Sequence, residues 1–271
     1  MRGRPTPAAG LLVLQDRVEA LDASQTTGVT GEAHDIARLL SVLEQVVPPG
    51  TRPRAPEPRL SVPSPSAADD VIAESRLLRR LDKNAPRVTT GPLDFSAQDW
   101  VATGRPPHRP PRVTRPAKAH FMTPATKEEP VPSTKPHNFG LYTSTASFAG
   151  RSMWSLYLEV NRESTLFTHP WHTWRLEVSQ APKVVESVSG SDWATFVGAY
   201  PYRVGSVLYP DWAVVARHYD GVHMTLLAIA ATQGLFFGSE QGFIAPPYWD
   251  VESTLWLTWQ FASAKLLMTS T

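Results

Sequence analysis

"DWAVVARHYDGVHMT" runs from Asp211 to Thr225. Asp211 is an N-cap residue type, and Trp212, Val215, Ala216 and Tyr219 recur on one helical face. Asp220-Gly221 is turn chemistry, and Val222 to Ile229 then reads as a strand. A short helix, a tight turn and a strand thus follow one another without a βαβ spacing. The same mixture extends outward. "FGLYTSTASF" (Phe139 to Phe148) and "PKVVESV" (Pro182 to Val188) read as strands. "HTWRLEV" (His172 to Val178) alternates Trp174, Leu176 and Val178 against Arg175 and Glu177, a half-buried strand. "GSDWATFVGAYP" (Gly190 to Pro201) is a capped helix with Trp193, Phe196, Val197 and Tyr200 on one face. "MWSLYLEVN" (Met153 to Asn161) fits a strand or a helix. "TLWLTWQFASAKLLM" (Thr254 to Met268) fits two strands separated at Ala262 to Ala264. Helices and strands do not alternate strictly, which predicts an α+β fold with a mostly antiparallel sheet.

Composition divides the chain. Of 26 prolines, 18 fall between Pro48 and Pro136, whereas 23 of the 26 aromatic residues lie from His137 onward. A proline-dense stretch poor in large apolar groups cannot offset its chain entropy. Residues 48–134 therefore read as a Pro/Arg-rich linker, largely disordered, and 135–271 as the folded unit. Within the linker, Ser66 to Asn84 is a helix candidate with Ser66 as cap and Ile72, Leu77, Leu78 and Leu81 as an incomplete stripe. Arg105 to Lys118 reads as an extended basic segment. No aromatic residue interleaves with its charges, which argues against nucleic acid as a partner.

Residues 1–47 form a third region. Leu11, Leu14, Val18 and Leu21 make one amphipathic stripe, and Ile36, Leu39, Leu40, Leu43 and Val47 a second. Two such helices are a poor core alone, so they are expected to pair with each other, a second copy or a protein partner. The apolar run Gly10 to Leu14 is shorter than a signal-peptide core. No run reaches the length of a membrane span. The chain has no cysteine, which excludes disulfides, thiolate metal sites and a cysteine nucleophile. These features fit a cytoplasmic protein with no membrane attachment. The net charge of +1 points to no polyanion.

No phosphate loop, dinucleotide fingerprint or nucleophile elbow occurs. His169 and His172 are separated by Pro170, lack an accompanying carboxylate motif, and read as loop histidines rather than metal ligands. Arg217, His218, Tyr219, Asp220 and His223 gather where the helix of the opening stretch meets its strand. They form either a solvated helix end or one wall of a nucleotide site.

"KPHNFGLYTSTASF" (Lys135 to Phe148) resembles the opening of a domain found in actinobacterial and phage proteins, Lys-Pro-x-Gly-Leu-Trp/Tyr-Thr-Ser. That domain continues with Asp-Trp-x-x-Val-x-x-x-Tyr-Asp-Gly, matched by Asp211, Trp212, Val215, Tyr219, Asp220 and Gly221. Its closing strand is matched by Trp259, Ala262 and Ser263, with Phe261 in a looser sense. The resemblance covers most of 135–271 and none of the front. Its layout is similar to the ADP-ribosyltransferase-like fold, which implies NAD as cofactor. On that resemblance Tyr142, Thr143, Ser144 and Tyr219 would contact the dinucleotide. A late-strand Glu would stabilise positive charge on the ribose. The family's Glu after Asp-Gly-Val is His223 here, so Glu252 or Glu240 would have to supply the carboxylate. The resemblance thus implies NAD-dependent modification of a macromolecule, with the front half tethering a partner. The alternative is a non-catalytic interaction or structural protein of a phage or mobile element, which the replaced Glu favours.

Overall fold

A computed structural model describes residues 9–23, 35, 36, 39, 40, 42, 62–104, 114–124, 133–136, 139–147, 150–179 and 181–271. The fold is α+β. Its helices are α1 (Ala9–Ala23), α2 (Pro65–Glu74), α3 (Arg76–Asn84), α4 (Pro86–Thr89), α5 (Met153–Val160), α6 (Gly190–Ala199), α7 (Trp212–Val215) and α8 (Leu226–Thr232). Its strands are β1 (Gln98–Ala102), β2 (Leu141–Thr145), β3 (Trp171–Val178), β4 (Val184–Ser187), β5 (Pro201–Val204), β6 (Val207–Pro210), β7 (Gly221–Met224), β8 (Phe237–Ser239), β9 (Gly242–Ile244), β10 (Ser253–Trp256) and β11 (Phe261–Ser270). Seven strands form one sheet in the order β11-β3-β1-β2-β10-β7-β4, antiparallel except where β4 meets β7. The order β5-β6-β9-β8 makes a smaller sheet.

The boundary drawn at residue 135 does not divide folded from unfolded chain. β1 lies between β2 and β3, pairing Asp99 with Ser144 on one side and Trp100 with Trp174 on the other. Ala68 and Ile72 of α2, Leu77, Leu78 and Leu81 of α3, and Leu14, Val18 and Leu21 of α1 share one core with Val222, Met224 and Leu255 of the sheet. The helix expected over 66–84 is two helices, broken at Ser75, whose ψ of 123° takes the chain out of the helical region. Ser75 then caps α3 by accepting from the Leu78 amide. It does not dock transiently: Leu77, Leu78 and Leu81 are 0–1% exposed. Prolines are compatible with this because Pro65 and Pro86 sit in first helical turns, where no amide donor is missed. Residues 105–113 of the basic segment, and Leu43 and Val47 of the second N-terminal stripe, lie outside the described residues.

α1 docks onto its own chain. The buried Arg17 guanidinium donates to Ala230 O (2.9 Å) and Gln233 O (2.9 Å), the carbonyl end of α8. Caps decide one open reading and correct another. Ser152 accepts from the Ser155 amide and starts α5, so the ambiguous "MWSLYLEV" is a helix. Thr225 accepts from the Ala228 amide and starts α8, so the strand read over 222–229 stops at Met224. The last two strands separate at 257–260, ahead of Ala262. The opposite face of the large sheet buries Trp256, Leu176 and Phe261 under Phe95, Trp100 and Phe121.

Candidate functional site

The entry to β2 depends on Gly140. Its φ is +72°, and a Cβ there would sit 2.6 Å from Trp256 O. Only glycine tolerates that conformation and approach. From it, β2 runs antiparallel to β10 with Thr143 opposite Thr254. Ser144 and Thr145 therefore arrive beside Glu252, which immediately precedes β10.

The Glu252 carboxylate is closed in by donors. Ser144 Oγ donates to Oε2 at 2.8 Å and Thr145 Oγ1 to Oε1 at 2.8 Å. The Thr145 amide donates to Oε2 at 3.1 Å. α5 covers the group: the Trp154 amide donates to Ser144 Oγ (3.3 Å), and the Glu252 amide contacts Met153 Sδ (3.2 Å). His223 Nδ1 lies 3.0 Å from Thr254 Oγ1 and 3.7 Å from Glu252 Oε1. Its Nε2 is buried without a hydrogen-bond partner. Glu252, His223 and Thr254 are 0% exposed, and Ser144 and Thr145 1%.

Burial governs the protonation of this cluster. It pushes the Glu252 carboxyl up to about 7, against the lowering effect of the Ser144 and Thr145 donors. It pushes the His223 imidazole down to about 3. At neutral pH His223 is therefore uncharged, and the 3.7 Å contact is a dipolar one rather than an ion pair. Glu252 titrates across the neutral range, where a group serving proton transfer or charge stabilisation is most responsive.

The other expected site residues divide. Tyr142 shares its sheet face with Ser144 by strand alternation. Its ring meets Trp249 edge-on at 5.5 Å. Its hydroxyl is buried without a partner, and burial together with Asp250 holds it well above the ordinary tyrosine range. Thr143 points the other way. Its hydroxyl bonds Gln98 Oε1 and accepts from Trp256 Nε1 at 2.8 Å, so it is spent on structure. Tyr219 lies perpendicular to Tyr200 at 6.0 Å, with the Lys183 ammonium 4.8 Å over its ring. Glu240 is exposed at the tip between β8 and β9, in the smaller sheet. It takes no part in the Ser144–Glu252 cluster. Among the described residues no group of His, Asp and Glu side chains could hold a metal.

The charged junction of the opening stretch is resolved by Asp220. Its carboxylate accepts from the Lys183 amide (2.9 Å), Thr258 Oγ1 (2.7 Å) and Gln260 Nε2 (2.8 Å), and its carbonyl from the Leu257 amide (2.7 Å). Asp220 joins three chain segments and is structural. Sequence reasoning missed Met153 and Trp154 as the cover of the cluster, and Thr254 as the partner of His223.

α5 closes over the Ser144 and Thr145 hydroxyls and the Glu252 carboxylate, which are 0–1% exposed. Among the described residues no helix is long and apolar enough to cross a membrane. Comparison of the chain with family models, curated proteins and solved structures finds no match.

Proposed function

We propose that the chain carries an ADP-ribosyltransferase-like site centred on Glu252. One observation supports this reading: Ser144 of an early strand holds the carboxylate of a late strand at 2.8 Å, although the two are 108 residues apart. NAD would supply a nicotinamide–ribose bond whose cleavage builds positive charge on the ribose. Glu252, once ionised, is an anion fixed by three donors, and a fixed anion stabilises developing positive charge without reorganising. Ser144 links that anion to the amide end of α5, whose Trp154 N–H favours the negative charge. Glu252 offers a carboxylate 3.7 Å from His223, the residue that stands where the family resemblance expects one.

A second reading is favoured by a different observation. Every polar atom of the Glu252 carboxylate is satisfied inside the protein at 0% exposure. A cluster of that kind fixes strand register, and a chain built on it serves as an interaction or structural module.

Thermal unfolding of the full chain with and without millimolar NAD separates the two. A ligand at 100 times its Kd adds about 2.7 kcal/mol, which raises the midpoint by several degrees. A clear rise that Glu252→Gln reduces supports the enzyme reading. No rise leaves the structural module.

A further inference from the structure

The outer strands of the two sheets are unlike. β4 closes one side of the large sheet with four residues, and its Glu186 accepts from the Leu93 amide (2.9 Å). β5 closes the small sheet with four residues that include Pro201 and Arg203, and β8 closes its other side with three. Shortness, proline and charge are how sheets protect their edges. β11 is ten residues long and has one charge, Lys265. Leu266, Leu267 and Met268 follow that lysine and are 43–50% exposed. Among the described residues β11 pairs with β3 and with no other strand.

An edge of that length offers a row of backbone donors and acceptors that an added strand can match. The side-chain pattern of β11 shows which strand fits. Ser263, Lys265, Met268 and Ser270 stand opposite Glu177, Arg175, Thr173 and Trp171 of β3, which share one face by alternation. Ala264, Leu266 and Thr269 stand opposite Leu176, Trp174 and His172, on the other face. The bulge at Leu267 puts Met268 on the face away from Leu266. With the bulged residue set aside, the pattern of faces about Leu266 is the same in both directions. An antiparallel copy centred there sets Leu266 opposite its own counterpart. Lys265 then lies opposite Met268 across the bulge, Ala264 opposite Thr269, and Ser263 opposite Ser270. Every opposed pair shares a face, and no two lysines meet.

We propose that β11 pairs with β11 of a second copy of this chain, antiparallel about Leu266, and joins two seven-stranded sheets into one. The contact is isologous, so one patch serves both partners. β3, β1 and β2 stand between β11 and the β10 strand that follows Glu252. The pairing therefore rests on neither reading of that carboxylate.

Light scattering of the full chain across a dilution series tests this. The mass of two chains is expected at the concentrated end; the mass of one chain throughout would overturn the pairing. Leu266→Lys sets two ammonium groups against each other and is expected to leave single chains. A folded variant, checked by circular dichroism, that still forms pairs would overturn the place of Leu266. Cysteine variants test the same register without a new charge, because the chain has no cysteine of its own. The Cα atoms of two Leu266→Cys copies would lie about 5 Å apart, within reach of a disulfide. Those of two Thr269→Cys copies would lie about 13 Å apart along the strand. Mild oxidation should crosslink the first variant and not the second. Equal crosslinking of both, or of neither, would overturn the register.

Discussion

Residues 62–102 and residues 139–271 differ sharply in composition and hardly at all in how they are buried. The first stretch is punctuated by Pro63, Pro65, Pro86 and Pro92 and holds two aromatic residues, Phe95 and Trp100. The second holds nearly all the tryptophan. Yet Leu77 and Leu78 are as completely buried as Trp193 and Trp249. Proline counts report where a chain turns. The residues between the prolines decide whether the pieces pack. Here Pro65 and Pro86 fall at helix starts, and the apolar side chains between them join one core with those of the aromatic stretch.

The most severe way to break this equivalence is to express residues 135–271 alone. That fragment lacks β1, so β2 and β3 lose their shared partner in the middle of the sheet. The expected outcome is a chain without a cooperative thermal transition, followed by circular dichroism; a sharp melt would show the front stretch to be dispensable. Leu78→Ala is the finer test. A packed core position costs about 2–5 kcal/mol on truncation, whereas a loosely docked helix costs under about 0.5 kcal/mol. Urea denaturation of the full chain distinguishes the two.

The polar cluster gives a smaller effect with a definite sign. The carboxyl of Glu252 is raised from 4.5 to about 7, so its contribution is complete below 4.5 and is lost as pH rises through 7. The His223 imidazole is lowered from 6.5 to about 3, so its contribution is complete above 6.5 and is lost as pH falls through 3. Between pH 4.5 and 6.5 the two slopes oppose each other. Glu252→Gln removes one of them, and stability should then rise with pH across that window by at most about 1.4 kcal/mol per unit. Urea midpoints at several pH values would read it; parallel curves for wild type and variant would show that the pair does not titrate this way. The smallest expected effect returns to the join between the two stretches. Asp69 of α2 accepts from the Gly190 and Ser191 amides (2.6 and 3.0 Å), capping α6 from outside its own segment. Asp69→Ala should cost about 1 kcal/mol by calorimetry. A neutral result would mean that α2 touches α6 without supporting it.

Local signals were legible in the sequence and distant ones were not. The alternation of Trp174, Leu176 and Val178 gave β3, and the stripe of Trp193, Phe196 and Val197 gave α6. Asp211 caps α7 as its residue type suggests. β1 was not legible because its central place depends on two strands that follow it in sequence, and "QDWVA" is too short to announce itself. The break at Ser75 was hidden because Ser75 caps α3 with help from Asp22, far earlier in the chain, which accepts from Arg76 and Leu77 amides. Ser144 and Glu252 were each visible as candidates. Their meeting was not, because it is made by the pairing of β2 with β10. Glu240 failed for the opposite reason: a carboxylate in a turn between short strands is exposed and reaches nothing in the cluster.

Asp220 also sets which loops tolerate a change of length. Its carboxylate holds Thr258 and Gln260, and the latter's carbonyl accepts from the Ser179 amide at the end of β3 (2.8 Å). One residue inserted between Leu257 and Gln260 would draw both side chains off the carboxylate and slide β11 along β3. The same insertion at the Glu240–Gln241 tip would bulge into solvent and leave every strand in register. Length is therefore constrained at one connection and free at the other, and the distinction is made by a single aspartate.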